Sequence, residues 1–136
     1  MVAVTERPLI LICDDDNAMR KVIAKVLQHE QFDVIDCDNG ADAVALTTKH
    51  RPDLVLLDIV MPGQLGGLDT LRELADRRLA PVAMLTALHD ERDRSAAARL
   101  EAIAFLNKAE VADRLGEHVR GVLADCARRG GAHGAS

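Results

Sequence analysis

The chain is 136 residues long, 49% apolar and 29% charged, with a formal net charge of -5. That size and balance describe one globular domain with a single sizeable core, and they exclude a disordered chain. The acidic balance argues against a binder of phosphate backbones, and Phe32 and Phe105 are too few aromatics to stack on single-stranded nucleic acid.

In chain order, residues 1–7 are a polar lead-in. Leu9–Cys13 (LILIC) is an apolar run with no polar alternation, as expected of a strand buried on both faces of a parallel sheet. It runs directly into Asp14, Asp15 and Asp16. From Ala18, the residues Met19, Val22, Ile23, Val26 and Leu27 form the stripe of an amphipathic helix, with Arg20, Lys21, Lys25 and Gln28 on its other face. Asp16 or Asn17 is placed to cap it. Asp33–Cys37 (DVIDC) is a second, less apolar strand and so a candidate for the sheet edge. Asn39-Gly40 makes a turn, and Ala41, Val44, Ala45 and Thr48 mark a second helix that ends before Pro52.

Residues 54–57 (LVLL) form the most apolar and hence central strand, closed by Asp58. A glycine-rich loop, MPGQLGG, leads to a third helix marked by Leu68, Leu71, Leu74 and Ala75. Residues 81–85 form a fourth strand closed by Thr86, and 90–100 a charged, Ala-rich helix. Residues 104–106 form a short fifth strand followed by Lys108. Val111, Leu115, Val119, Val122, Leu123 and Cys126 carry a last helix. The Gly- and Ala-rich residues 128–136 are expected to fray as a flexible tail. Five strands alternating with helices predict an α/β doubly wound fold, a parallel sheet covered on both faces. The domain is expected to span 8–127. With no repeat and no second composition shift, the chain reads as a stand-alone domain.

Strand 1 ends in Asp14 and Asp15, strand 3 in Asp58, strand 4 in Thr86 and strand 5 in Lys108. In a right-handed parallel sheet those ends share one edge, where open α/β sheets bind ligands. Each residue has an ordinary explanation by itself: acids cap helices, threonine ends strands, lysine is solvated. Their joint placement at four strand ends is what carries meaning. Clustered carboxylates repel unless a cation joins them, and several oxygen donors at one point suit Mg2+. A hydroxyl and an ammonium beside them suit phosphoryl oxygens, and Asp58 has the chemistry of a nucleophile that forms an aspartyl phosphate.

The motifs LILICDDDNAMR, PDLVLLDIVMPG, VAMLTA and FLNK, in this order and over about residues 8–127, resemble the receiver domain of two-component response regulators. The resemblance implies a flavodoxin-like sheet in the order 2-1-3-4-5. It implies that Asp58 accepts phosphate from a histidine kinase or phosphotransfer protein. Asp15 and Asp58 would bind Mg2+ with the Val60 backbone carbonyl, and Asp14 would help through water. Thr86 and Lys108 would hold the phosphoryl oxygens. Thr86 would then move inward, with Phe105 following, and so change the surface formed by the 90–100 helix, strand 5 and the last helix. That surface would receive a downstream protein or a second copy of the chain. Val60 and Leu88 would flank the attacking water, and as apolar groups they predict slow self-dephosphorylation. The chain would thus be no enzyme on free substrates.

Three departures bear on the switch. Ala109 stands where the family usually has proline after the lysine, the MPGQLGGLD loop is one residue longer than usual, and Glu101 replaces a frequent glycine. They keep one alternative in view, a non-phosphorylated receiver acting as a protein-binding module. Other classes lack their signatures. An aspartate-nucleophile phosphatase usually has an acid at the position of Val60, and neither GxxxxGK[ST] nor a GxGxxG after strand 1 is present. Cys13, Cys37 and Cys126 are odd in number and scattered, so they read as buried or incidental thiols in a reducing compartment, not as a disulfide framework or a zinc site. The five histidines lack metal-ligand spacing. Nothing approaches the roughly 18 apolar residues of a membrane span, and the expected location is the cytoplasm.

Overall fold

The alternation of strands and helices read from the sequence recurs in the computed structural model, which describes residues 7–58, 66–86, 95, 99, 102, 104–107 and 114–134. The elements are β1 (Leu9–Cys13), α1 (Asn17–His29), β2 (Asp33–Cys37), α2 (Gly40–His50), β3 (Leu54–Asp58), α3 (Gly67–Asp76), β4 (Val82–Thr86), β5 (Ala104–Asn107) and α4 (Leu115–Gly134). All strand pairs are parallel, in the order β2-β1-β3-β4-β5. Strand β3, without a polar residue before Asp58, is central and buried at every position. Strand β2 lies at the edge, with Asp33 and Asp36 exposed.

Side chains alternate across each strand, so the sheet divides the core in two. Ile10, Ile12, Leu54, Leu56, Ala83 and Leu85 face α1 and α4, meeting Ile23, Leu27, Phe32, Leu115, Val119 and Val122. On the other face Leu11, Cys13, Val55, Leu57, Val82 and Met84 meet α2 and α3 through Ala43, Leu71 and Leu74. The α1 stripe is narrower than its spacing suggests: Ile23 and Leu27 are buried, whereas Val22 is 57% exposed.

Local chemistry fixes the helix ends. Asp16 caps α1 by accepting from the Met19 amide at 3.0 Å, and Asn39 caps α2 by accepting from Asp42 at 2.8 Å. After α1, α2 and α3 the chain turns at Gln31, Arg51 and Arg78, with φ of 76°, 49° and 51°. At the amino edge, Leu9 and Asp53 exchange two hydrogen bonds of 2.8 Å, one through the Asp53 carboxylate, which sets β1 against β3.

Helix α4 runs past the domain boundary expected at residue 127. It continues to Gly134, because each further turn adds a hydrogen bond to an existing helix, and Arg128 pairs with Asp125 one turn back. Its start crosses α1 closely: a Cβ on Gly116 would come within 2.8 Å of the Glu30 side chain, which Arg120 holds by its guanidinium. Of the helix expected over 90–100, only Ser95 and Arg99 are described, both exposed.

Candidate functional site

Because every strand runs the same way, the last residues of all five lie on one edge of the sheet. Asp14 follows β1 directly and is fully buried; Asp58 ends β3 and is 7% exposed. Asp15, the next residue after Asp14, is exposed. One carboxylate oxygen from each of Asp14, Asp15 and Asp58 lies within 4.8 Å of the other two. Two like charges about 4 Å apart repel by about 4 kcal/mol at an effective protein dielectric near 20. A cluster of this kind is therefore built for positive charge.

Backbone and side-chain bonds hold the acids in place. Asp14 Oδ1 accepts from the Asp16 amide at 2.9 Å, and the Asp14 amide donates to the Cys37 carbonyl at 3.2 Å. Arg20 binds the same loop through three separate contacts of 2.7 Å each. Its guanidinium donates to the Asp14 carbonyl, to Asn17 Oδ1 and to Asp36 Oδ2 on β2. Sequence spacing alone placed Arg20 on the outer face of α1, yet its side chain is only 12% exposed. The partner on β2 becomes visible only once the strands are paired.

The other expected site residues divide by position. Thr86 ends β4, one strand over from Asp58; its backbone is in register with Asn107. Phe105 lies in β5, paired with Met84. Val60, Lys108 and Leu88 lie outside the described residues. So do Ala109, Glu101 and the loop residues 59–65.

Two residues overlooked by spacing meet beside the acids. Cys13 and Cys37 end β1 and β2 and are register partners. Their sulfurs lie 3.3 and 3.6 Å from the same Asn39 carbonyl oxygen. The neighbouring Cys37 sulfur pushes the Cys13 thiol pKa up, as does burial, and the same side-chain interaction lowers that of Cys37. Twenty-odd residues separate them in sequence, so no CxxC signal exists to reveal them. Cys37 also borders an open cleft of about 360 Å³ lined by Arg20, Asp36, Asp38 and Asp42. Among the described residues no helix is long and apolar enough to cross a membrane.

The family described as response regulator receiver domain matches residues 10–120. The transcriptional regulatory protein PdtaR of Mycobacterium tuberculosis is 37% identical over 101 residues, covering 73% of this chain and 48% of that protein. The DNA-binding response regulator MtrA of Mycolicibacterium smegmatis is 39% identical over 89 residues, 65% of this chain and 39% of its own length. The chain thus spans less than half the length of either relative. Among solved structures, a LuxR-family DNA-binding response regulator from Staphylococcus aureus superposes with a TM-score of 0.79 at 28% identity, covering 85% of this chain and 98% of that one. A CheY-like receiver domain from Methanospirillum hungatei shares the fold at a TM-score of 0.84 and 22% identity, over 92% of this chain and all of its own. With the sheet order, the acid cluster and these matches together, the chain belongs to the receiver-domain family of two-component response regulators.

Proposed function

We propose that this chain is a phosphoacceptor switch in which Asp58 takes a phosphoryl group from a histidine kinase or a phosphotransfer protein. One observation carries the reading beyond family membership: acids from β1 and β3 bring three carboxylate oxygens within 4.8 Å of one another. An all-oxygen donor set at that spacing fits Mg2+ rather than a soft metal. Asp15 and Asp58 would hold the ion with the Val60 carbonyl, and Asp14 would hold it through water. Bound there, Mg2+ supplies positive charge for the phosphoryl oxygens during transfer.

A carboxylate oxygen of Asp58 attacks the phosphorus in line. The bond from phosphorus to the donor nitrogen breaks, and its electron pair stays with the departing imidazole, which takes a proton. Asp58 is oriented by its position at the end of a fully buried strand and Asp14 by its bond from the Asp16 amide. Thr86 and Lys108 would hold the remaining phosphoryl oxygens. The chain turns over nothing but its own phosphorylation and slow dephosphorylation. Its output would be a changed surface of the 90–100 segment, β5 and α4, read by a protein partner rather than by nucleic acid.

Intact mass after incubation with Mg2+ and a small acyl phosphate tests this. The expected result is one added phosphoryl group on the wild type and none on Asp58→Asn. An unmodified wild type, or the same adduct on both, overturns the reading.

A further inference from the structure

We propose that Cys13 and Cys37 form a reversible disulfide behind the acid cluster, an oxidative modification site that detunes it. Its effect on phosphoryl transfer rests on the phosphoacceptor reading; the bond itself does not.

Strand register sets the two cysteines side by side. The two cysteines are Cα partners at the last position of β1 and β2, and both face the α2–α3 core. Paired strands lie about 4.8 Å apart, within the Cα separation of roughly 4.4–6.8 Å that a disulfide bridges. Their side chains leave the sheet on the same side, and both sulfurs sit against one carbonyl oxygen, that of Asn39. Little movement then separates two thiols from one bond. Being at the strand ends, the pair can close without disturbing the ladder behind it.

Access is asymmetric. Cys13 is 1% exposed, while Cys37 is 8% exposed and borders the cleft beside Arg20 and Asp42. A hydroperoxide entering that cleft meets Cys37 first. The Cys37 sulfur takes the terminal peroxide oxygen as the O–O bond breaks, giving a sulfenic acid and, from hydrogen peroxide, one water. The Cys13 sulfur then displaces that hydroxyl, which leaves as a second water with the Cys13 proton. Each sulfur has lost one electron, and the peroxide has gained both.

The consequence for the acids follows from how Asp14 is attached. It is the residue after Cys13, and its amide donates to the Cys37 carbonyl. Drawing the two sulfurs together removes both thiols from the Asn39 carbonyl and moves the backbone that positions Asp14 and Asp15. Cys126, on α4, packs against the opposite face of the sheet from Cys13 and Cys37 and offers an internal comparison.

The test treats the full chain with hydrogen peroxide, counts thiols, and maps the products by mass after digestion. Two of the three thiols should disappear, the protein should become lighter by two hydrogens, and peptides holding Cys13 and Cys37 should be joined until dithiothreitol is added. Cys37→Ala should keep Cys13 as a thiol under the same treatment. Three surviving thiols, or oxygen adducts on separate cysteines with no cross-link, overturn the proposal. Phosphoryl uptake and Mg2+ affinity are then compared before and after oxidation. A fall on the order of tenfold, reversed by dithiothreitol, is expected from disturbing residues that orient ligands. Equal uptake and affinity in the two forms overturn the coupling. A reduced wild type that takes no phosphoryl group would instead count against the function proposed above and leave the disulfide standing.

Discussion

Arg20 shows how much of the site depends on a residue outside its chemistry. A planar guanidinium can satisfy the Asp14 carbonyl, Asn17 and the Asp36 carboxylate at once; an ammonium cannot. Arg20→Ala should therefore lower Mg2+ affinity by about tenfold, as loss of groups that orient metal ligands generally does. Arg20→Lys, keeping the charge without the fork, should recover only a small part of it. Calorimetric Mg2+ titration of both variants checks this. Lost stability with unchanged affinity would assign Arg20 to the fold alone. The acids themselves were legible in the sequence because their spacing follows strand ends. Arg20 and the Cys13–Cys37 pair were not, because their meaning comes from the pairing of β1 with β2, and nothing in a linear string states that Leu9 stands opposite Asp33.

The helices repeat one unusual device. Three of the four described turn off at a non-glycine residue in the left-handed region, at Gln31, Arg51 and Arg78. That conformation costs roughly 1–2 kcal/mol for an L-residue, against about 0.5–1 kcal/mol of extra chain entropy lost by glycine. Gln31→Gly, Arg51→Gly and Arg78→Gly should each stabilise the domain by about 0.5–1 kcal/mol, read as a higher urea midpoint at constant slope. The start of α1 was readable, since Asp16 stands where a cap belongs, whereas Asn39 read as part of a turn and its capping of α2 appears only in the structure. Two of the helix ends were harder, because no glycine marks the turn at Gln31 or Arg78; Pro52 gave away the second. The extent of α4 was not legible for a related reason: Gly and Ala composition suggests a tail, but a helix already begun extends more easily than its residues would start one.

At the scale of the whole molecule, the acid cluster links ion binding to folding. Three gathered carboxylates favour the unfolded chain, where they can separate, and a bound cation reverses the sign. Asp58→Asn should be more stable than the wild type without Mg2+. The wild type should gain about 2.7 kcal/mol at an Mg2+ concentration one hundred times its dissociation constant, a rise of several degrees in thermal midpoint, and the variant distinctly less. Melting curves with and without Mg2+, at matched ionic strength, give both signs. The two-core architecture was legible in outline from the unbroken apolar runs of β1 and β3, since a strand apolar at every position needs cover on both faces.

Strand β2 is the outermost strand on its side of the sheet. A strand at the end of a sheet offers an unpaired row of amides and carbonyls to any other strand it meets, including one from a second copy. Here that strand is the least apolar of the five, and its exposed positions, Asp33 and Asp36, are both carboxylates. Two chains meeting at that edge would meet charged side chains and their ion pairs, Asp36 with Arg20 and Asp33 with Arg7, before a single backbone bond formed. The residues that make β2 a poor core strand also discourage growth of the sheet from one molecule into the next, and so protect the chain from aggregation at that border.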